Sequence, residues 1–186
     1  MTSYHQAQAM IMTELAEAMA AVDEVSVRAL AGEIDAADRV FFIGTGRVFL
    51  ALQAMAKRLA HLGVATVVVG QITEPAIRPG DLLIAGSGSG ESLVPVVIAR
   101  KAKTAGARLA HIGTRSDSSI GLLADIFVRL PVPSKLAAPR QVSSSQPMTS
   151  LFEQCLWFLG DAIALMLIDS HGLDLADLWQ HHANLE

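Results

Sequence analysis

Residues 82–92 read LLIAGSGSGES, a short apolar run followed by a turn of alternating glycine and serine. An apolar run that stops at glycine predicts a buried strand, and the polar residues after it predict a turn into a helix. The same order occurs earlier, where Val40–Ile43 stops at Gly44 and Gly46 and residues 47–62 carry apolar side chains at helical spacing. The chain therefore predicts a repeated strand, glycine turn and helix.

Three more apolar runs fit the same scheme, at residues 65–69, 108–112 and 126–130. None of these runs alternates with polar residues, which is typical of strands that are buried on both faces. Strands of this kind, separated by helical stretches, predict an α/β fold whose parallel sheet is flanked by helices on both faces through right-handed crossovers.

The remaining segments lie at the two ends of the chain. Residues 4–31 lack glycine and proline and predict one long amphipathic helix, whereas residues 131–147 predict a long loop. Residues 150–170 are apolar nearly all round and predict a helix that is buried or lies in a subunit interface, and a final helix is expected from Asp174. We expect a single domain over residues 1–186, with the N-terminal helix in 1–31 and C-terminal helices in 150–186.

Composition excludes several classes of protein. The net charge of -4 and the pI near 5.8 provide no basic field for a nucleic acid. Hydrophobic residues make up 52% of the chain and charged residues only 17%, so the surface is short of charge and self-association is expected.

The single cysteine and the charges near the N-terminus indicate where in the cell the protein is located. Cys155 can form neither an internal disulfide nor a zinc site by itself, and no Lys or Arg precedes Arg28, unlike in a signal peptide. The longest stretch without Asp, Glu, Lys or Arg covers residues 59–73, which is shorter than a membrane span of about 18 residues. We therefore expect a cytoplasmic protein with no membrane partner.

The serine loop, residues 86–92, is the strongest candidate for a binding site. A helix N-terminus offers unpaired N–H groups to a phosphate, and the hydroxyls of Ser87, Ser89 and Ser92 add further donors. The alternative is an ordinary strand-to-helix turn with a serine cap. A dinucleotide site is not indicated, because Phe49 replaces the third glycine of the fingerprint and Gln71 stands where an acidic residue is needed.

The other ionisable residues allow two interpretations each. His61 ends a predicted helix and is either a partner of the helix dipole or a catalyst. Glu153, in the first turn of an apolar helix, either offsets the dipole or acts as a general base. His181 and His182 are either solvated residues near the chain end or functional ones. No spacing of His, Cys or Asp predicts a metal site.

Several motifs resemble a known family. Strand 40–43 followed by Gly44-Thr45-Gly46-Arg47, the stretch RLAHLG at 58–63 and SGSGES at 87–92 resemble the sugar isomerase (SIS) domain. TEPAI at 73–77, PMTSLFE at 147–153 and HANLE at 182–186 are more narrowly similar to the 6-phospho-3-hexuloisomerase family.

The resemblance implies a fold, an assembly and a reaction. The fold would be a five-stranded parallel sheet in a flavodoxin-like three-layer sandwich, and the assembly a homotetramer whose active sites are shared between subunits. The reaction would interconvert D-arabino-3-hexulose 6-phosphate and fructose 6-phosphate through an enediol, without a cofactor. Such an enzyme is an intramolecular oxidoreductase, here of the ribulose monophosphate pathway.

The resemblance also assigns roles to individual residues. Glu153 would move the proton between C2 and C3, His182 from a neighbouring subunit would assist ring opening or proton shuttling, and Arg47 would stabilise the enediolate. The phosphate would be bound by Ser87, Gly88, Ser89 and Ser92. Further candidates are His61, Glu91 and Gly46, His61 being the other histidine that could open the ring.

Three positions depart from the family pattern. Val48 replaces a serine, Glu74 a threonine and Gln71 a glutamate. These departures leave open an isomerase of another phosphosugar. A second alternative is a non-catalytic SIS module that senses a sugar phosphate. Transcriptional regulators of that kind add a basic helix-turn-helix segment, whereas residues 1–39 contain only Arg28 and Arg39 as basic residues.

Overall fold

The structure is a computed structural model that describes residues 2–136 and 138–185. The expected single domain starts at residue 1 and ends at residue 186, which is also the last residue of the HANLE motif. Both residues lie outside the described part of the chain. The helices are α1 (Tyr4–Ala20), α2 (Glu24–Ala36), α3 (Arg47–His61), α4 (Leu93–Thr104) and α5 (Ser150–His171). The strands are β1 (Val40–Ile43), β2 (Thr66–Val68), β3 (Leu82–Gly86), β4 (Arg108–Gly113) and β5 (Ile126–Arg129), and short 3-10 turns cover Gly121–Leu123 and Asp177–His181.

The strands form a parallel sheet in the order β2-β1-β3-β4-β5. Each strand predicted from an apolar run is present, with ends that differ by at most one residue. Register places Ile43 beside Ala85 and Gly86 beside Ile112, so the carboxyl ends of β1, β3 and β4 lie along one edge. Strand order reverses between β1 and β3, which is where open α/β sheets bind ligands.

Alternate side chains of each strand enter two separate cores. Phe42 and Ile84 point to the face that is covered by α1, α2, α3 and α5, whereas Phe41 and Leu83 point to the face covered by α4. Both sets are fully or almost fully buried, as expected for strands that are covered on each side. The prediction of helices on both faces is confirmed.

Helices α3 and α5 approach each other closely at Gly160. A Cβ atom on this residue would lie 2.9 Å from the Cβ of Met55, which leaves room for no larger side chain. By length and composition α5 would be capable of crossing a membrane, yet half of its apolar window is buried within the fold. One face of α5 therefore packs in the larger core, whereas Trp157, Phe158 and Leu165 are exposed, so the helix is buried in part and the interface alternative stays a prediction.

The prediction of one long helix over residues 4–31 was wrong. The chain forms two helices because Asp23 caps a new one: its carboxylate accepts a hydrogen bond from Ser26 N at 2.8 Å, and its own backbone is extended. The final helix expected from Asp174 was wrong as well. Asp174 Oδ1 accepts from Ala176 N at 2.8 Å, which turns the chain locally, and only the 3-10 turn Asp177–His181 follows.

Residues 131–149, here called the strap, connect β5 to α5 over the carboxyl edge of the sheet. They contain no helix or strand among the described residues, in agreement with the predicted loop. Within the strap Val142 N donates to Pro131 O at 2.7 Å. The Ser134 hydroxyl lies 3.2 Å from that of Thr114, which follows β4. The strap thereby carries its side chains to the edge where β1 and β3 end.

Candidate active site

The serine loop begins where β3 ends and continues the sheet by one residue. Ser87 N donates to Ile112 O at 3.0 Å, and the Ser87 hydroxyl accepts from Gly90 N at 3.1 Å. Gly90 has a φ of +68°, and a Cβ there would lie 2.0 Å from the Ser118 hydroxyl. Position 90 therefore requires glycine on both conformational and steric grounds.

Ser87 and Ser92 direct their hydroxyls to the same place. Their Oγ atoms lie 3.2 Å apart, and Ser92, the N-cap of α4, makes no side-chain capping bond. The first N–H groups of a helix have no partner within the helix and favour an anion. Hydroxyls and helix N-terminus together form a site that is suited to a phosphate group.

Two side chains from the β4 region support the serine loop from below. His111 Nε2 lies 3.1 Å from Ser87 O, and because a carbonyl only accepts, the proton is on Nε2. Burial lowers the pKa of His111 to about 4, more than the bond to Ser87 raises it, so the ring is neutral at pH 7. The Thr114 hydroxyl donates to Gly88 O at 2.7 Å. These two contacts hold the carbonyl groups of Ser87 and Gly88 and so fix the backbone of the loop.

Glu153 lies in the first turn of α5 and has a partner at each carboxylate oxygen. Arg47 Nε donates to Oε2 in an ion pair, and the Thr149 hydroxyl donates to Oε1 at 2.9 Å. The Glu153 side chain is 10% exposed, whereas that of Arg47 is 69% exposed. Arg47 follows Gly46, whose φ of +59° turns β1 into α3. The carboxylate is therefore held by two partners, one of which is an exposed cation.

A cavity of about 320 Å³ joins the serine loop to this ion pair. This volume lies in the range of small-molecule sites. Its lining comprises Thr45, Gly46, Arg47, Val48, Gly86, Ser87, Gly88, Ser89, Ser92, Ser134, Lys135, Met148, Thr149, Phe152 and Glu153. The structure thus brings together the predicted phosphate-binding residues, Arg47, Gly46 and Glu153, and it places Val48 in the same cavity.

Three predicted candidates lie elsewhere. Glu91 points away from the cavity, and its carboxylate accepts from Ser119 N at 2.7 Å and from the Ser119 hydroxyl at 2.6 Å, bonds that lower its pKa. His61 ends α3, and its ring stacks on that of His182 at 5.1 Å. Arg47 begins the same helix, so His61 lies about 21 Å from it along the axis. Within one chain, His61 and His182 are remote from Glu153.

Lys135 and Thr149 were missed by the sequence analysis. Lys135 lies on the strap and contributes an ammonium group to the cavity wall, although the serine loop itself contains no cation. No local pattern identifies it, because its position depends on how the strap folds back over the sheet. Thr149 precedes Glu153 by four residues, a spacing that places two side chains on one helix face and that could have indicated the contact.

A second, more apolar cavity of about 410 Å³ adjoins the first and shares Arg47 and Glu153 with it. Its other wall is formed by Leu50, Trp157 and Phe158, which are 60%, 49% and 49% exposed. Large apolar side chains with this exposure, next to a charged pair, are typical of surfaces that another molecule covers.

Comparison with known proteins agrees with the fold. The family model of the SIS domain matches residues 33–156, and the chain belongs to that family. It is 38% identical over 176 residues to the 3-hexulose-6-phosphate isomerase of Bacillus subtilis, covering 95% of each chain. It is 41% identical over 177 residues to the enzyme of the same name from Mycobacterium gastri, covering 95% of this chain and 88% of that one.

A solved structure resembles the whole chain. A hypothetical protein of Methanococcus jannaschii, for which a molecular function of 3-hexulose-6-phosphate isomerase has been inferred, superposes with a TM-score of 0.83 at 25% identity. The alignment covers 97% of this chain and 99% of that one. These relatives support a phosphosugar isomerase function, which is the function that the joined phosphate loop and carboxylate suggest.

The buried His111 predicts a pH-dependent stability. Below pH 6.5 the unfolded chain binds a proton at this ring, whereas the folded chain does so only near pH 4. The free energy of unfolding of the wild type should therefore fall by about 3 kcal/mol between pH 7 and pH 4 through this group. His111→Gln keeps an N–H donor but does not titrate. Between pH 7 and pH 4 its free energy of unfolding, measured by urea unfolding at each pH, should therefore fall less than that of the wild type, by the same amount. His5→Gln, exposed on α1, is the control, and equal declines in wild type and His111→Gln would contradict the assignment.

Proposed function

We propose that this protein interconverts 3-hexulose 6-phosphate and fructose 6-phosphate. The observation that carries the proposal is the single cavity that is lined by the serine loop at one end and by the Glu153–Arg47 pair at the other. A sugar phosphate has a phosphate at one end and its carbonyl near the other, so both parts would be bound at once. The names of the curated relatives support this choice of substrate.

The phosphate binds at Ser87, Gly88, Ser89 and Ser92 at the N-terminus of α4. Hydroxyl and backbone N–H groups direct it, and Lys135 supplies the positive charge that balances a phosphate dianion. Val48 stands at the wall of the same cavity as an apolar contact where the family pattern has a serine. The substrate therefore gains one hydrogen bond fewer here than the family pattern allows.

Glu153 is the general base of the reaction. It removes the proton from C2 of the 3-ketose, the C2–C3 bond becomes the double bond of an enediol, and the proton returns at C3. The hydroxyl proton of O2 passes to O3, so C2 is oxidised to the carbonyl while C3 is reduced. The reaction is thus an intramolecular oxidoreduction that consumes no other reactant.

Arg47 stabilises the negative charge that develops on the enediolate oxygens. Its side chain is 69% exposed and that of Glu153 is 10% exposed, so Arg47 lies between the buried carboxylate and the solvent. The guanidinium has five N–H donors and can keep Glu153 while it binds a substrate oxygen. A fixed cation at this place lowers the energy of the transition state more than that of the ground state.

The protein acts as a homotetramer in which neighbouring subunits complete each active site. His182 stacks on His61 at the far end of α3 and does not line the cavity of its own chain. A neighbouring copy that covers Leu50, Trp157 and Phe158 would bring its own residues next to Glu153. We assign ring opening or proton shuttling to His182 supplied in this way. A cytoplasmic location in the ribulose monophosphate pathway agrees with the single, buried Cys155.

Ser89→Ala tests the phosphate site. A hydrogen bond to a charged group contributes about 1.5–3 kcal/mol, so the dissociation constant for fructose 6-phosphate should rise by roughly ten- to a hundredfold. Calorimetry in a Glu153→Gln background avoids turnover during the measurement. Ser170→Ala, at an exposed position near the end of α5, should bind as the parent does. An unchanged affinity in Ser89→Ala would mean that the serine loop is an ordinary turn.

Glu153→Gln tests the base. A positioned base contributes about 10²–10⁴-fold, so kcat for 3-hexulose 6-phosphate should fall by that factor with KM nearly unchanged. The amide keeps the shape of the side chain and its bond to Thr149, which separates chemistry from folding. Asp169→Asn, exposed on the same helix, is the control and should retain the wild-type rate. A wild-type rate in Glu153→Gln would remove Glu153 from the mechanism.

Phe158→Glu tests the assembly. Light scattering of the wild type at micromolar concentration should give the mass of a tetramer, since large apolar interfaces between subunits are stable at such dilution. A negative charge at position 158, in the apolar wall that Leu50 and Trp157 also form, should dissociate the tetramer and thereby lower kcat. A monomeric wild type that is fully active would contradict both the assembly and the shared histidine.

A further inference from the structure

Glu14 is a buried carboxylate on α1 that the proposed reaction does not use. It is 8% exposed, and it accepts three hydrogen bonds from consecutive residues of the strap. Oε1 accepts from Ser145 N at 2.7 Å, and Oε2 accepts from the Ser144 hydroxyl at 2.7 Å and from Gln146 Nε2 at 3.0 Å. One side chain of the N-terminal helix thus binds a segment that is about 130 residues away in sequence.

The balance of burial and hydrogen bonding at Glu14 favours the charged form. Burial raises the pKa of Glu14, but the bonds from the backbone of Ser145 and the side chains of Ser144 and Gln146 outweigh it and leave the pKa lowered. Charge-assisted bonds of this kind are stronger than bonds between neutral groups. The described residues of the strap form no helix or sheet ladder, so the position of the strap depends on contacts such as these.

The segment that Glu14 holds leads directly to Glu153. Gln146 Oε1 accepts from Gln154 Nε2 at 2.7 Å, so one side chain joins Glu14 to the residue next to the base. Pro147 O then accepts from Ser150 at the start of α5. Thr149, between these anchors, donates to Glu153 Oε1.

The backbone conformation of Met148 indicates that the segment between Gln146 and α5 is held in place. Its φ of 58° lies in the left-handed region, which is unfavourable for a residue with a side chain. Such a conformation persists only where the neighbouring residues are fixed on both sides. Here the anchor before Met148 is the contact with Glu14, and the anchor after it is the first turn of α5.

We propose that Glu14 is a positioning residue for the catalytic carboxylate: by holding residues 144–146 it fixes Thr149 and Gln154, and through them the place of Glu153 in the cavity. This inference rests on the proposed role of Glu153 as the base. The serine loop joins β3 to α4, whereas the hydrogen bonds of Glu14 described above all go to the strap, so loss of Glu14 should affect proton transfer more than substrate binding.

The test compares Glu14→Ala and Glu14→Gln with wild type and with Glu17→Gln, an exposed position on the same helix. Small displacements of a catalytic group cost up to about a hundredfold in rate, so Glu14→Ala should lower kcat by roughly 10- to 100-fold. KM should stay within about threefold, because the phosphate contacts are intact. Glu14→Gln keeps one acceptor for Ser145 N and should recover part of kcat, and Glu17→Gln should match the wild type.

Amide hydrogen exchange gives a readout that does not depend on turnover. In Glu14→Ala the Ser145 amide and residues 148–153 should exchange faster, while β3 and β4 keep their protection. If Glu14→Ala does not fold, Ser144→Ala combined with Gln146→Ala removes two of the three bonds from the strap side and should show the same loss of kcat.

The outcomes separate this inference from the proposed function. A wild-type kcat in Glu14→Ala, or in the double variant when Glu14→Ala is unfolded, would overturn the inference. A general rise in exchange with kcat and KM impaired together would make Glu14 a purely structural residue and would overturn it as well. If the wild type itself fails to convert 3-hexulose 6-phosphate, the proposed function fails. The positioning role is still tested in that case, because unchanged amide exchange of residues 148–153 in Glu14→Ala would overturn it.

Discussion

The parallel pairing of β1 with β3 is the constraint on which the site depends. It places the turn after β1 beside the turn after β3, at the point where the order of the strands reverses. One turn starts α3 at Arg47 and the other starts α4 beyond Ser92, so two helix N-termini face one cavity. The close contact of Gly160 with Met55 then holds α5 against α3 and brings Glu153 to Arg47.

In the proposed mechanism, substrate binding and proton transfer are supplied by different elements of the fold. The serine loop is supported by His111 and Thr114 beneath it, and the Glu153 carboxylate is fixed by Thr149. Arg47 is the exposed member of its ion pair, and Glu153 is the buried one. A carboxylate that is held next to a cation before substrate enters is suited to a reaction whose negative charge develops during the step.

The sequence predicted what depends on local patterns. Apolar runs predicted each strand of the sheet, and the glycine turns predicted residues that line the cavity, because both are set by residues close together in the chain. The break at Asp23 was missed although aspartate is a common N-cap, since the apolar pattern of residues 4–31 continues across it. Lys135 and Glu14 depend on the path of the strap, which is determined by contacts between distant segments and leaves no periodic signal.

The central claim is that the cavity moves a proton between two carbon atoms of a bound sugar phosphate. The most direct measurement is nuclear magnetic resonance of fructose 6-phosphate that is incubated with the wild-type protein in deuterium oxide. Reversible formation of the C2–C3 enediol predicts that solvent deuterium replaces hydrogen at C3 of the fructose 6-phosphate and appears at C2 of the 3-hexulose 6-phosphate formed from it. A protein that binds fructose 6-phosphate tightly but exchanges none of its carbon-bound hydrogen would contradict the account and would be a sensor of the sugar phosphate.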